Sequence, residues 1–176
     1  MKDKDGGDAW QLGEAVESLG LVAAMNKTPT TLKWTGVKYD EMHPGIFEPE
    51  ARLELMDEDG VDAAVFFPPQ RTMIYFMSQD KDFSFAGMQA YNDFIAGFCA
   101  HKPERLGAIF QMPSSGIDDA ITELKRAKEA GAKGVGLATW PSGEALLSEV
   151  DDQFWEVAEE LEMPIHIHIG LTPPTV

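Results

Sequence analysis

The stretch MPIHIHIG, residues 163–170, sets apolar and polar side chains in strict alternation. In an extended strand, successive side chains point to opposite faces. Ile165, Ile167 and Ile169 therefore share one face, and His166 and His168 share the other. KGVGLATW, residues 133–140, reads the same way, with Val135 and Leu137 opposed to Gly134, Gly136 and Ala138. Strands buried on both faces of an open parallel sheet read instead as continuous apolar runs. One greasy face and one polar or small face suit a barrel wall, where helices cover only the outside and the interior can hold a site.

Working outward, the strands alternate with helices. Pro164 opens the IHIHI strand, and Asp151 is the expected cap of a helix that buries Phe154, Val157, Ala158 and Leu161. Ahead of the 133–140 strand, Ser114 and Ser115 offer N-caps and Asp118 and Asp119 fill a first turn. Ile117, Ile121 and Leu124 then form a stripe that Gly131 ends. LGAIFQMP (106–113) is a further strand stopped by proline, and Met88, Tyr91, Ile95, Phe98 and Cys99 recur at helical spacing before it. VDAAVFFPP (61–69) is the first strand of the series. In front of it, Pro49 and Gly60 bracket a helix with Leu53 and Met56 on one face. Met73, Tyr75, Phe76, Met77, Phe83 and Phe85 are expected to form an apolar loop that either lines a substrate pocket or covers the core, the core being the first choice. Residues 1–47 show no clear period and read as an irregular N-terminal segment or loop insertion. Residues 48–176 read as a partial β/α barrel.

A complete (β/α)8 barrel needs eight strands and about 250 residues. Four strands leave two open parallel edges. Either the chain is part of a longer one, or a second copy covers the concave face and the chain is a homo-oligomer.

A net charge of −16 argues against nucleic acid and anionic membrane as partners. A single cysteine, Cys99, excludes an internal disulfide. The charged start MKDKDGGDAW lacks the apolar core of a signal peptide, and no apolar run reaches bilayer length. These features lead us to expect a cytoplasmic protein.

Barrel sites lie at the C-terminal ends of the strands. The residues there are Phe67-Pro68, Gln111-Met112, Thr139-Trp140 and His168. Of these, His168 is the strong metal ligand. His166 shares its face one layer deeper, as a ligand, a group behind the ligand, or a core histidine bonded to backbone. Imidazole nitrogen suits zinc and similar divalent ions. Trp140 and Gln111 are placed to line a substrate pocket. His43 and His101 read as ordinary loop and helix-end residues, and Asp57/Asp59, Asp118-Asp119 and Glu159-Glu160 as solvated faces or caps. Cys99 falls on an apolar stripe with no paired histidine, which argues against a nucleophile.

ARLELMDEDGVDAAVFFP (51–68), YNDFIAGFCAHKPERLGAIFQMP (91–113), AKGVGLATW (132–140) and FWEVAEELEMPIHIHIG (154–170) together resemble the amidohydrolase-related family of metal-dependent hydrolases. That family includes aminocarboxymuconate-semialdehyde and resorcylate-type decarboxylases. The resemblance covers about residues 44–170 in unbroken order and implies strands two to five of a TIM barrel. It also implies a divalent metal, zinc first and manganese second. The family's ligands come from an acidic-or-His, X, His motif on strand one, a His on strand five, often a His on strand six, and an Asp on strand eight. Only the strand-five ligand has a match here, four residues after the strand-opening proline, at His168. One histidine does not hold a catalytic zinc, which takes three protein ligands. The expectation is therefore part of a metal-dependent hydrolase or carboxy-lyase for a small carboxylated or ring substrate, inactive as this stretch alone. The alternative is a non-catalytic half-barrel that self-associates. No residue is assigned a catalytic role.

Overall fold

The computed structural model describes all residues except Gly13, Glu14, Leu21, 70–79 and 169–176. It divides into two compact units, Met1–Val61 and Asp62–Val176.

The first unit holds more order than its sequence suggests. Strand β1 (Ala9–Leu12) pairs antiparallel with β2 (Ala15–Ser18), with Ala9 opposite Ser18. Leu19, Ala23, Val37 and Met42 form a small core, with Val22, Ile46 and Phe47 against it. Hydrogen bonding to a half-buried carboxylate supplements that core. Asp3 accepts the backbone N–H groups of Asp5 and Gly7 at 2.9 Å and of Gly36 at 2.8 Å. Desolvation works to raise its pKa, but the donors from Gly36, Asp5 and Gly7 outweigh it and hold the carboxyl below its usual range. The unit ends in helix α1 (Pro49–Glu58), which has proline in its first turn and buries Met56, with Leu53 half-buried.

The second unit is a four-stranded parallel sheet with its helices. In chain order it runs β3 (Ala64–Phe66), α2 (Lys81–Ala100), β4 (Leu106–Gln111), α3 (Ile117–Glu129), β5 (Gly134–Leu137), α4 (Asp152–Glu160) and β6 (Ile165–Ile167). The spatial order of the strands, β3-β4-β5-β6, is also their chain order. The register sets Val65 beside Gly107, Ile109 beside Gly134, and Gln111 beside Gly136 and then His166. One face thus carries Val65, Gly107, Ile109, Gln111, Gly134, Gly136 and His166. The opposite face carries Phe66, whose ring meets Phe98 of α2 edge-on at 5.6 Å. It also carries Phe110, whose ring lies 5.4 Å from the Arg126 guanidinium of α3. Helices α2 and α3 therefore cover the same face.

The face opposite those helices is concave. Neighbouring strands lie about 4.8 Å apart, so three steps across a flat sheet span about 14 Å. Yet the ring of Phe67, just past β3, is centred 5.3 Å from His166 and 4.9 Å from His168 of the far strand. The sheet must curl for these side chains to meet. Gly107, Gly134 and Gly136 on the inner face of the intervening strands leave them room. Ile109 on that face is only 1% exposed. The result is a half-barrel wall, as the two-faced strands suggest.

Several local expectations change. Phe83 and Phe85 lie in the first turns of α2 rather than in a loop, and Met73, Tyr75, Phe76 and Met77 fall outside the described residues. Ile169 also falls outside them. Neither Ser114 nor Ser115 caps α3. Gly116 occupies the N-cap, and the Ser115 hydroxyl instead donates to the Asp119 carboxylate. The buried side of α3 is Ala120, Glu123, Leu124 and Ala127, with Ile117 and Ile121 half-buried. Gly60 and Gly131, at φ +69° and +76°, stop their helices where expected.

Candidate metal and substrate site

Both candidate histidines project from β6 and its extension onto the concave face. The ladder continues one residue past the strand, since the His168 N–H donates to the Leu137 carbonyl at 3.4 Å. His168 is exposed and His166 half-buried. Phe67 touches both rings, edge-on to His166 at 89° and tilted 34° from His168. It limits the angles the His168 imidazole can take.

His166 leans the other way. Its Nε2 would lie 2.8 Å from a Cβ at Gly134, so the ring rests on bare backbone of β5. Among the described residues no three His, Cys, Asp or Glu side chains stand close enough to hold a metal ion. The donor chemistry of the two imidazoles suits a divalent ion. Two imidazoles are fewer than the three protein ligands that a catalytic zinc takes.

Gln111 lies in the same layer as Gly136 and His166. Its side chain is buried on the concave side, and Nε2 donates to the Met112 carbonyl at 3.2 Å. Trp140 is half-buried on the rim, and its carbonyl accepts the Gly143 N–H at 2.8 Å.

The rim loop between Trp140 and α4 is fixed by Asp151. Its side chain does not cap α4. Its Oδ1 accepts the Ser142 N–H at 2.7 Å, and its Oδ2 accepts the Ser148 N–H at 3.0 Å. The side chain ties the two ends of the loop together. Desolvation acts to raise its pKa, but the donors from Ser142 and Ser148 prevail and hold the carboxyl below the usual range. Asp151→Asn places an NH2 group against one of those donors and is expected to cost about 1–2 kcal/mol at pH 7. Because the folded pKa lies below the unfolded value of about 3.9, the stabilisation is complete above that pH. It fades as pH falls through the folded pKa. Urea unfolding at pH 7 and pH 3 should show the gap between wild type and Asp151→Asn narrowing in acid. A gap independent of pH would contradict this role.

His43 takes a purely local part, its Nδ1 accepting the Gly45 N–H at 3.0 Å. His101 is exposed at the end of α2. Burial pushes the Cys99 thiol up to about 11, which removes it as a nucleophile at neutral pH. No helix among the described residues is long and apolar enough to cross a membrane.

Asn92, Glu123 and Arg126 are missing from the sequence-based candidates. Asn92 and Glu123 are each 0% exposed; they bond to each other, and Asn92 also bonds to the Gln111 backbone of β4. The available sequence signal is a polar residue inside an apolar helical stripe: Asn92 sits four residues after Met88 and three before Ile95.

The sequence model of the amidohydrolase family matches residues 25–176. A 2,6-dihydroxybenzoate decarboxylase from Rhizobium superposes with a TM-score of 0.57 at 25% identity, covering 66% of this chain and 38% of its own. A 5-carboxyvanillate decarboxylase from Novosphingobium aromaticivorans, complexed with manganese and 4-hydroxy-3-methoxy-5-nitrobenzoic acid, gives 0.59 at 23% identity, covering 70% and 35%. An amidohydrolase from Mycobacterium avium subsp. paratuberculosis gives 0.64 at 17% identity, covering 93% and 50%. The last two likenesses show the fold alone. The chain spans 38% of the length of the first. No curated protein matches. The family match covers most of the chain, and the curled parallel sheet superposes on solved structures of that kind. This chain belongs to the amidohydrolase family.

Proposed function

We propose that these residues form part of a metal-dependent carboxy-lyase or hydrolase acting on a small carboxylated ring substrate, with His168 as one ligand of a divalent ion. The observation that carries the reading is the placement of His168. It is exposed on the concave face, just past the C-terminal end of β6, with its ring held against Phe67. Likeness to a dihydroxybenzoate decarboxylase supports decarboxylation over hydrolysis. Imidazole donors favour zinc, and the manganese in a structural neighbour favours manganese.

When bound, such an ion supplies a Lewis acid that polarises a substrate oxygen. The chain's own residues bind and orient. His168 offers a ring nitrogen lone pair, and His166 stands behind it against Gly134. The exposed part of Phe67 gives a planar ring an apolar surface, and Trp140 and Gln111 line the rim and the inner wall.

The test uses the protein that carries these 176 residues. His168→Ala is expected to lower bound zinc or manganese at least about tenfold, as for lost metal-site partners. Carbon dioxide release from 2,6-dihydroxybenzoate should fall with it. His166→Ala should lower both less. Unchanged metal content in His168→Ala would overturn the assignment.

A second reading rests on the sheet margins. Val65 on β3 and Ile167 on β6 are 54% and 58% exposed, which favours pairing with further strands or with a second copy. A concentration-dependent dimer without bound metal in sedimentation would support self-association.

A further inference from the structure

β4 runs further than its neighbour β3. The two strands pair only as far as Phe66 beside Ala108, and Pro68, which has no N–H to give, follows two residues on. Gln111 still lies beside Gly136 of β5, but its own N–H and C=O point to the side that β3 has left. Asn92 of α2 fills that place. Its Oδ1 accepts the Gln111 N–H at 2.9 Å, and its Nδ2 donates to the Gln111 carbonyl at 3.0 Å. One carboxamide thus supplies both partners that a strand residue would supply.

The amide is also held against flipping. Nδ2 donates to Glu123 Oε1 at 2.7 Å. A flipped Asn92 would set its NH2 against the Gln111 N–H and its oxygen against the Glu123 carboxylate. Glu123 is fixed in turn by Arg126, through Nη2 at 2.6 Å and Nε at 2.9 Å, and Arg126 also binds the Asp93 carboxylate.

We propose that Asn92 is a positioning residue for the concave site. It replaces the end of β3, lets the chain turn away after Phe66, and holds the Gln111 backbone so that its side chain projects in the layer of Gly136 and His166. The proposal rests on reading the concave face as the binding face. Asparagine suits the role because it alone offers one acceptor and a pair of donors at this length.

Amide hydrogen exchange in the 15N-labelled chain tests it. Asn92→Leu keeps the volume and removes both polar groups. Exchange at the Gln111 amide is expected to rise about a hundredfold while Val135 and Leu137 keep their protection, the mark of a local opening. Undiminished protection at Gln111 overturns the proposal, because a space-filling Asn92 would leave it so. If Asn92→Leu does not fold, N92D with E123Q decides. That pair keeps the acceptor for the Gln111 N–H and restores a donor between positions 92 and 123, but it sets an oxygen in place of the NH2 against the Gln111 carbonyl. Partial loss of protection at Gln111, with Val135 and Leu137 unchanged, supports the proposal, and full retention overturns it. Titration with 2,6-dihydroxybenzoate separates the underlying reading. Release of Gln111 by the substitution, with no response of its side chain to that probe in the wild type, leaves the positioning role standing and sinks the binding-face reading.

Discussion

Glu123→Ala is expected to lower the unfolding free energy by about 3–4 kcal/mol, because it leaves buried polar partners without their acceptor. Glu123 is completely buried and takes hydrogen bonds from Asn92, Arg126 and Gln89. Its bonds to Arg126 are also the main reason the guanidinium's pKa is raised, against the opposing effect of desolvation and with further help from Asp93. Arg126 stays charged even without Glu123, because a guanidinium is not deprotonated near neutral pH. It keeps Asp93 and can turn toward water. Asn92 cannot, since it is sealed between α2 and β4. Glu123→Gln keeps the volume and one acceptor and should cost roughly half as much. Urea unfolding of the three proteins at pH 7 measures both steps. An alanine variant within about 1 kcal/mol of wild type would show that the network contributes little, as exposed ion pairs do.

Gly134→Ala should cost about 2–3 kcal/mol through overpacking. A Cβ at that position would lie 2.8 Å from His166 Nε2 and 2.9 Å from the Pro164 carbonyl oxygen. A side chain can swing away, but a carbonyl of the neighbouring strand cannot. The β5–β6 spacing must widen, or the imidazole must leave its bed. For a domain of this size the cost corresponds to a fall in Tm of about 5–10 °C. The His166 ring resonances should move as well, because the ring loses its place beside Phe67. Gly136→Ala is the control. Its Cβ would meet nothing closer than 3.6 Å, which is ordinary contact, and its Tm should change little. Equal melting of both variants would show that the contact at Gly134 relaxes freely.

The half-barrel was legible because its signals are local. Alternation in IHIHI and GVGLA shows which face each side chain takes, and the proline and glycine stops set the order of elements. The residues that fasten the site were not, because their partners are distant in the chain. Asn92 bonds to residues 19 and 31 positions away, and within its own helix it is merely a polar interruption of an apolar stripe. Asp151 was misread for a related reason. An aspartate before a helix suggests a cap, but its partner Ser142 lies nine positions upstream. Contact of Phe67 with both histidines depends on the curl of the whole sheet, and no window of sequence contains that. The hairpin at Ala9–Ser18 escaped because its strands are four residues each and lack clear alternation.

The match between spatial and chain order of the strands has a consequence for synthesis. Each βα unit leaving the ribosome finds its partner strand already made, so no strand waits for a distant one. Even so, each pairing joins residues about 25 to 42 positions apart, and parallel sheets of this kind close slowly. Among the described residues the margins at β3 and β6 are open, and two nascent copies on one messenger could zip together through them. The −16 charge opposes that encounter at every step of translation. On this view the acidity of the chain acts as a guard for the growing sheet, at work before its fold is complete.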